Sequence, residues 1–239
     1  MKSPLLQADL LSALSPRFGS AAAAPEARWP PRQWLLTGIP TVDSLTGGLP
    51  RGAITEICGG PSSGRTSLLV SVLAQATARR EVCALLDSTD AFDPASAAQA
   101  GVDLESLLWV RCAGRADHAL TAADWLLQGG GFGVVAFDLA GVPPATTRRI
   151  SLASWFRLRR AIEHTPTILL VLAQEPQAKS CSSLILEARS EKIAWTGSPS
   201  ITWGHLLRGT SHHLERRKPL RSASAAFHVC LWEQAHSAG

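Results

Sequence analysis

"GGPSSGRTS", residues 59–67, decides how the rest of this chain is read. It follows the short β-leaning run "AITEI" (53–57) and leads into "TSLLVSVLAQATARR", a helix-forming run. Its spacing is that of the phosphate-binding pattern G-x-x-x-x-G-K-[ST], with Gly59, Gly64, Arg65 and Thr66 in the four defined places. Each place has a physical reason. Glycines let the backbone curl so that successive N–H groups face a phosphate. The helix start adds its dipole. A lysine would reach the outer phosphates, and the hydroxyl would hold magnesium. The nucleotide-contact candidates are therefore Gly59, Gly60, Pro61, Ser62, Ser63, Gly64, Arg65, Thr66 and Ser67, with Thr66 also a magnesium ligand. One place departs from the pattern. Arg65 brings a planar, bulky guanidinium where lysine brings a compact ammonium. A loop wrapped around a phosphate has little room for it, so the expectation is nucleotide affinity lowered or lost.

Working outward, "VCALLD" (82–87), "LLWVR" (107–111), "GVVAFD" (133–138) and "TILLVLAQ" (167–174) are continuous apolar runs. Residues 64–80, 116–128 and 148–164 have helical character between them. Strand and helix in alternation predict an α/β fold: a mostly parallel sheet with helices on both faces. In the last third, 183–195 and 225–233 predict strands that extend the sheet as antiparallel edge strands. The stretch "ITWGHLLRGTSHHLERRKPLRS" between them is basic and reads as irregular. Near the start, Leu5, Leu6, Leu10, Leu11 and Leu14 have helical spacing over 3–14. A Pro/Ala/Gly/Ser-rich linker follows. The division expected is 1–35 for this helix and linker, and 36–239 for the core with its C-terminal β extension. So short a helix must dock, either on its own domain or on a partner.

Composition narrows the class. With 239 residues, 46% of them hydrophobic, the chain supports one substantial core. A formal charge of +4 is compatible with an anionic partner and equally with an ordinary solvated surface. The five cysteines form no CxxC pair, which argues against a zinc knuckle and fits reduced thiols. Cys58 and Cys83 lie in apolar runs and read as core. His212 and His213 have no ligand-type residue at metal spacing. The opening apolar stretch is too short for a signal peptide and is interrupted by Asp9. No run reaches the roughly 18 apolar residues of a membrane span. The expectation is a cytoplasmic protein with no membrane contact.

Two strand ends carry polar residues of interest. Asp138 ends its apolar run as a magnesium-associated aspartate would, or as an ordinary turn residue does. Gln174 ends the next and is placed to sense a γ-phosphate. Together with the phosphate loop, "TGIPTVDSLTGGLPRGAITEICGGPSSGRTSLL" and "LLDSTDAFDPASAAQAGVDLESLLWV" resemble the RecA recombinase core. The resemblance covers roughly residues 36–195. It implies a RecA-like P-loop core, ATP with magnesium as cofactor, and Asp93 near the adenine.

The same resemblance shows departures. RecA's catalytic glutamate falls on Thr89 here, and Asp90 beside it is shorter and out of register. RecA's adenine-stacking tyrosine falls on Ser96, and the chain contains no tyrosine. Both DNA-holding loops are shortened: "LAGVPPATTRRIS" after Asp138 and "EPQAKSCSS" after Gln174. General-base catalysis needs a carboxylate in reach of water, and threonine cannot take that proton. No catalytic residue is therefore assigned. Compact RecA relatives of this kind resemble the ImuA accessory proteins of SOS-induced mutagenesis and translesion synthesis. That resemblance implies a Y-family polymerase homologue, an error-prone polymerase and RecA as partners, with single-stranded DNA a further one. An active DNA-dependent ATPase or recombinase is the alternative, and a SulA-like cell-division inhibitor a lesser one. For DNA or partner contact the candidates are Arg148, Arg149, Arg208, Arg216, Arg217, Lys218 and Arg221, the last five near Trp203. Arg157, Arg159 and Arg160 flank Trp155 and Phe156, which either stack bases or form a buried helix face.

Overall fold

The computed structural model describes residues 34–195, 206–219 and 223–230. The short strands β1 (Trp34–Leu35) and β2 (Leu49–Pro50) pair antiparallel around α1 (Pro40–Thr46). Then comes the alternation expected from sequence. Strand β3 (Ala53–Gly59) leads through the loop into α2 (Arg65–Ala78), and β4 (Cys83–Asp87) into α3 (Pro94–Gln99). Strand β5 (Leu107–Arg111) leads into α4 (Ala116–Gly129), and β6 (Val134–Asp138) into α5 (Pro144–Thr147) and α6 (Leu152–Ile162). Strands β7 (Ile168–Ala173), β8 (Ser182–Trp195), β9 (Leu207–Lys218) and β10 (Ala223–Cys230) complete the described elements.

These build an eight-stranded sheet in the order β10-β9-β8-β3-β7-β6-β4-β5. The strands from β8 to β5 are parallel, and β9 and β10 are antiparallel. Their apolar runs are continuous because both sheet faces are buried. In β6, Val134 and Ala136 join the core under α2, while Val135 and Phe137 join the core under α4 and α6. Helix α2 buries Leu68, Leu69, Val72 and Leu73 at helical spacing. At about 2 kcal/mol for each buried side chain, that docking outweighs the marginal stability of an isolated helix. Cys58 and Cys83 are buried, as expected.

Three readings change. The helix expected over 148–164 is shorter, α6 at Leu152–Ile162, and the one-turn α5 lies before residue 148. Ser151 turns extended and its hydroxyl accepts from the Ser154 N–H at 3.1 Å, capping a new start for α6. The strand at 182–195 is not an antiparallel edge. It lies parallel beside β3, inside the sheet. The basic stretch read as irregular contains β9, twelve residues long. Its polar composition hid it: of the residues from 210 to 216, His212 and Leu214 are buried while the others, all polar or charged, are half-buried. The helix and linker expected before residue 34 lie outside the described residues, as do Trp203 and Arg221.

Candidate nucleotide site

The phosphate loop sits at the carboxyl end of β3, the usual ligand end of a parallel sheet. Two glycines are there by necessity. A Cβ on Gly59 would lie 2.2 Å from the Ala188 carbonyl oxygen of β8. Gly64 has φ +88°, and a Cβ there would lie 2.7 Å from Phe227 and 2.8 Å from His212. The underside of the loop is thus filled from β9 and β10. The rings of His212 and Phe227 lie 5.0 Å apart, and His212 Nε2 is 2.7 Å from the Thr210 hydroxyl. Gly60, Pro61, Ser62 and Thr66 form an exposed rim, with Ser67 half-buried. Ser63 is 2% exposed, and its buried hydroxyl has no partner among the described residues. Such an orphan is uncommon and fits a loop shaped around an anion.

Arg65 does something the motif does not anticipate. It is 8% exposed, and its Nη1 donates to the Ala173 carbonyl at 2.6 Å. The side chain therefore ties the start of α2 to the end of β7, instead of lying free along the loop. Burial lowers its pKa from the ordinary arginine value, and the nearby charge of Asp138 works against that shift. Asp138 caps its own turn, accepting from the Ala140 N–H at 2.8 Å. Burial raises its pKa, with the Ala140 bond and Arg65 opposing and Asp87 reinforcing. Asp87 lies beside Asp138 in the sheet register. Its Oδ1 accepts from the N–H groups of Thr89, Asp90 and Ala91, and its Oδ2 from Phe92 N–H and Trp109 Nε1.

That bonding fixes the segment that carries Thr89 and Asp90. Thr89 packs against Gly141, whose missing Cβ would lie 2.8 Å from Thr89 Oγ1. The Asp90 carboxylate turns outward and is clasped by the Arg111 guanidinium, which also covers the Trp109 ring at 5.1 Å. The Arg111 hydrogen bond holds Asp90 below the usual carboxylate pKa. A depressed pKa and a fixed outward partner both make it a poor proton acceptor. Asp93 caps α3, accepting from the Ala95 and Ser96 N–H groups and the Ser96 hydroxyl.

The segment after β7 is short and pinned. Gln174 is exposed, and its Nε2 donates to the Ala140 carbonyl at 3.3 Å. Glu175 takes both guanidinium bonds from Arg148, at 2.7 and 2.9 Å. Gln177 and Ala178 N–H groups and the Ser182 hydroxyl all bond to Glu56, which is fully buried in β3. Sequence reasoning passed over Glu56. The available signal was a lone acid inside an apolar strand.

The basic candidates do not gather into one surface. Arg216 donates to the Leu45 carbonyl at 3.0 Å, and Lys218 to the Ser180 and Ser182 carbonyls. Arg217 pairs with Glu187 and Glu215 at 2.8 and 2.9 Å. Arg149 and Arg208 are exposed. Trp155 is fully buried, whereas Phe156 is 43% exposed.

The arrangement offers an open phosphate cradle with a hydroxyl, Thr66, at the helix start. Among the described residues, Arg65 in that cradle is bonded to the Ala173 carbonyl, and the Asp90 carboxylate to Arg111. Comparison with known proteins agrees with the fold. Residues 35–148 match the RecA N-terminal domain. The chain is 46% identical over 92 residues to Protein RecA of Methylococcus capsulatus, covering 38% of this chain and 26% of that one. It is 39% identical over 108 residues to Protein RecA of Chlorobium limicola (44% and 31%). To Protein RecA of Aquifex pyrophilus it is 35% identical over 132 residues (54% and 38%). Over these stretches the chain is similar to RecA, and its matches span 26% to 38% of these relatives' length. Among the described residues no helix is long and apolar enough to cross a membrane.

Proposed function

We propose that this chain is a RecA-like accessory protein of bacterial DNA repair, working in SOS-induced mutagenesis and translesion synthesis without turning over nucleotide. The observation that carries the reading is the state of the catalytic segment. By the resemblance to RecA, Thr89 falls on the position of the base, and Asp90, the nearest acid in sequence, is held outward by Arg111. Arg65 supports it, because its guanidinium is committed to the Ala173 carbonyl. ATP with magnesium is then a weak ligand of residues 59–67, with Thr66 and Asp138 as the metal-side residues and Asp93 and Gln174 at the periphery. The short segment after β7, held by Glu56, supports loss of a mobile DNA loop. Function then runs through partners: a Y-family polymerase homologue, an error-prone polymerase and RecA itself, in the cytoplasm.

The test is calorimetric titration of the purified chain with ATP and magnesium, followed by a hydrolysis assay with and without single-stranded DNA. Weak or no binding with no turnover is expected. DNA-stimulated turnover would replace this reading with that of an active ATPase.

A further inference from the structure

Helix α6 has two unlike faces. Inward, Trp155, Leu158 and Ile162 are fully buried against the sheet. Outward, Leu152 and Phe156 stand one turn apart and are 44% and 43% exposed. One exposed apolar residue is ordinary. Two at i and i+4 make a ridge of the kind that helical recognition uses as an anchor.

Among the described residues the charge around this ridge is only partly paired. Arg148 and Arg157 hold Glu175 and Asp124. Elsewhere Arg51, Arg111, Arg115, Arg189 and Arg217 each hold a carboxylate. Among the described residues Arg149, Arg159 and Arg160 hold none, as is also true of the exposed Arg79, Arg80 and Arg208 elsewhere, but only here do three such arginines flank an apolar ridge on one helix. Arg149 and Arg160 are exposed and Arg159 is half-buried. The acid at this end of the helix is Glu163, exposed just past the last turn and in no ion pair with them. An apolar ridge flanked by three guanidinium groups that hold no carboxylate among the described residues complements an occupant that is apolar along its middle and anionic at its edges.

We propose that the outer face of α6 docks an acidic amphipathic protein segment. Its apolar side chains cover Leu152 and Phe156, and its carboxylates meet Arg149, Arg159 and Arg160. Single-stranded DNA fits this face less well. Non-specific strand binding relies on successive aromatic platforms along a groove, and here one exposed ring has an aliphatic neighbour. The match to the RecA N-terminal domain ends at residue 148, so the ridge lies outside it. The inference rests on reading the chain as a protein that acts through partners, and it does not depend on nucleotide.

The test uses the full chain and fluorescence anisotropy. The probe is a labelled synthetic peptide with Leu and Phe at helical spacing and Asp and Glu between them. Three controls accompany it: the peptide with Lys for the acids, the peptide with Ser for Leu and Phe, and labelled oligo-dT. The acidic peptide alone is expected to bind, more weakly as salt rises. Phe156→Ser, Leu152→Ser and the Arg149→Glu/Arg160→Glu pair are each expected to weaken it at least about tenfold. Their melting temperatures should stay close to wild type, because these side chains are exposed. The proposal falls if the acidic peptide does not bind, if all peptides bind alike, or if every folded variant binds as wild type does. It also falls if oligo-dT binds more tightly through the same residues. ATP titration is a separate measurement, so failure of either reading is seen without the other.

Discussion

At Arg65 the motif and the molecule part company. Arginine at a lysine position reads as a poorer phosphate ligand, but its partner is 108 positions away, at the Ala173 carbonyl, and no local pattern reveals that. The residue acts as a staple between α2 and β7. Arg65→Lys shortens the side chain and removes the fork, so the Ala173 bond is expected to go. Stability should fall by about 1.5–3 kcal/mol, the range for a hydrogen bond to a charged group. The freed ammonium should tighten ATP binding at least about tenfold, since a lysine here reaches the outer phosphates. Turnover should stay absent, because Thr89 is unchanged. Urea titration and calorimetry check the first two, and phosphate release the third. Tight binding in the variant with no loss of stability would mean that the Ala173 bond is not formed in solution. Asp90 supplies a second residue-scale expectation. Arg111→Ala should raise its pKa toward the ordinary carboxylate value, read by NMR titration, because the Arg111 hydrogen bond is the leading cause of the depression. The loop glycines, the strand-end Asp138 and Thr89 were legible because chemistry and sequence neighbours define them. Glu56 and Asp87 were not, since their roles are set by backbone N–H groups that only the fold brings together.

Strand β9 shows what pattern reading loses at the scale of an element. Apolar alternation announces a half-buried strand, but from 210 to 216 the side chains facing the core are His212 and Leu214 alone. A buried histidine looks polar to any pattern. It matters because it sits under Gly64, joining the hairpin of β9 and β10 to the phosphate loop. Burial lowers its pKa below the ordinary 6.5, and the charge of His228 pushes the same way. The sign follows. As pH falls through 6.5 the unfolded chain takes up the proton first, so the folded state loses stability as pH falls toward the depressed value. The expected outcome is a melting temperature that drops between pH 7.5 and about 5, with a shallower drop in His212→Gln. Parallel curves for the two proteins would show that another group controls the acid limb. The late start of α6, at Leu152 rather than near 148, has a similar origin. Arginines on both sides of Ser151 favour helix, but one hydroxyl captures the Ser154 N–H and restarts it.

Over the whole molecule, the α/β architecture was readable because buried parallel strands leave continuous apolar runs. The place of β8 was not, because neighbours in a sheet need not be neighbours in sequence. Strand β8 returns beside β3, and the fastening is a single buried carboxylate. Glu56 bonds the Ser182 hydroxyl 126 positions onward, and the Gln177 and Ala178 N–H groups on the way. Those bonds close the path from β7 to β8 and hold short the segment that follows Gln174. Glu56→Ala would leave two buried N–H groups and a hydroxyl without acceptors. At about 1–3 kcal/mol for each orphaned group, the loss is expected to be at least 3 kcal/mol. That is a large share of the roughly 5–15 kcal/mol that stabilises an ordinary domain. Glu56→Gln keeps one acceptor oxygen and should fall between the variant and wild type. The urea midpoint measures the loss, and amide exchange locates it. If the carboxylate is the fastening, exchange accelerates first at Gln177 and Ala178, ahead of the β4 and β6 amides farther along the sheet. A Glu56→Ala protein with an unchanged midpoint would leave β8 held by its backbone ladder to β3 and β9 alone.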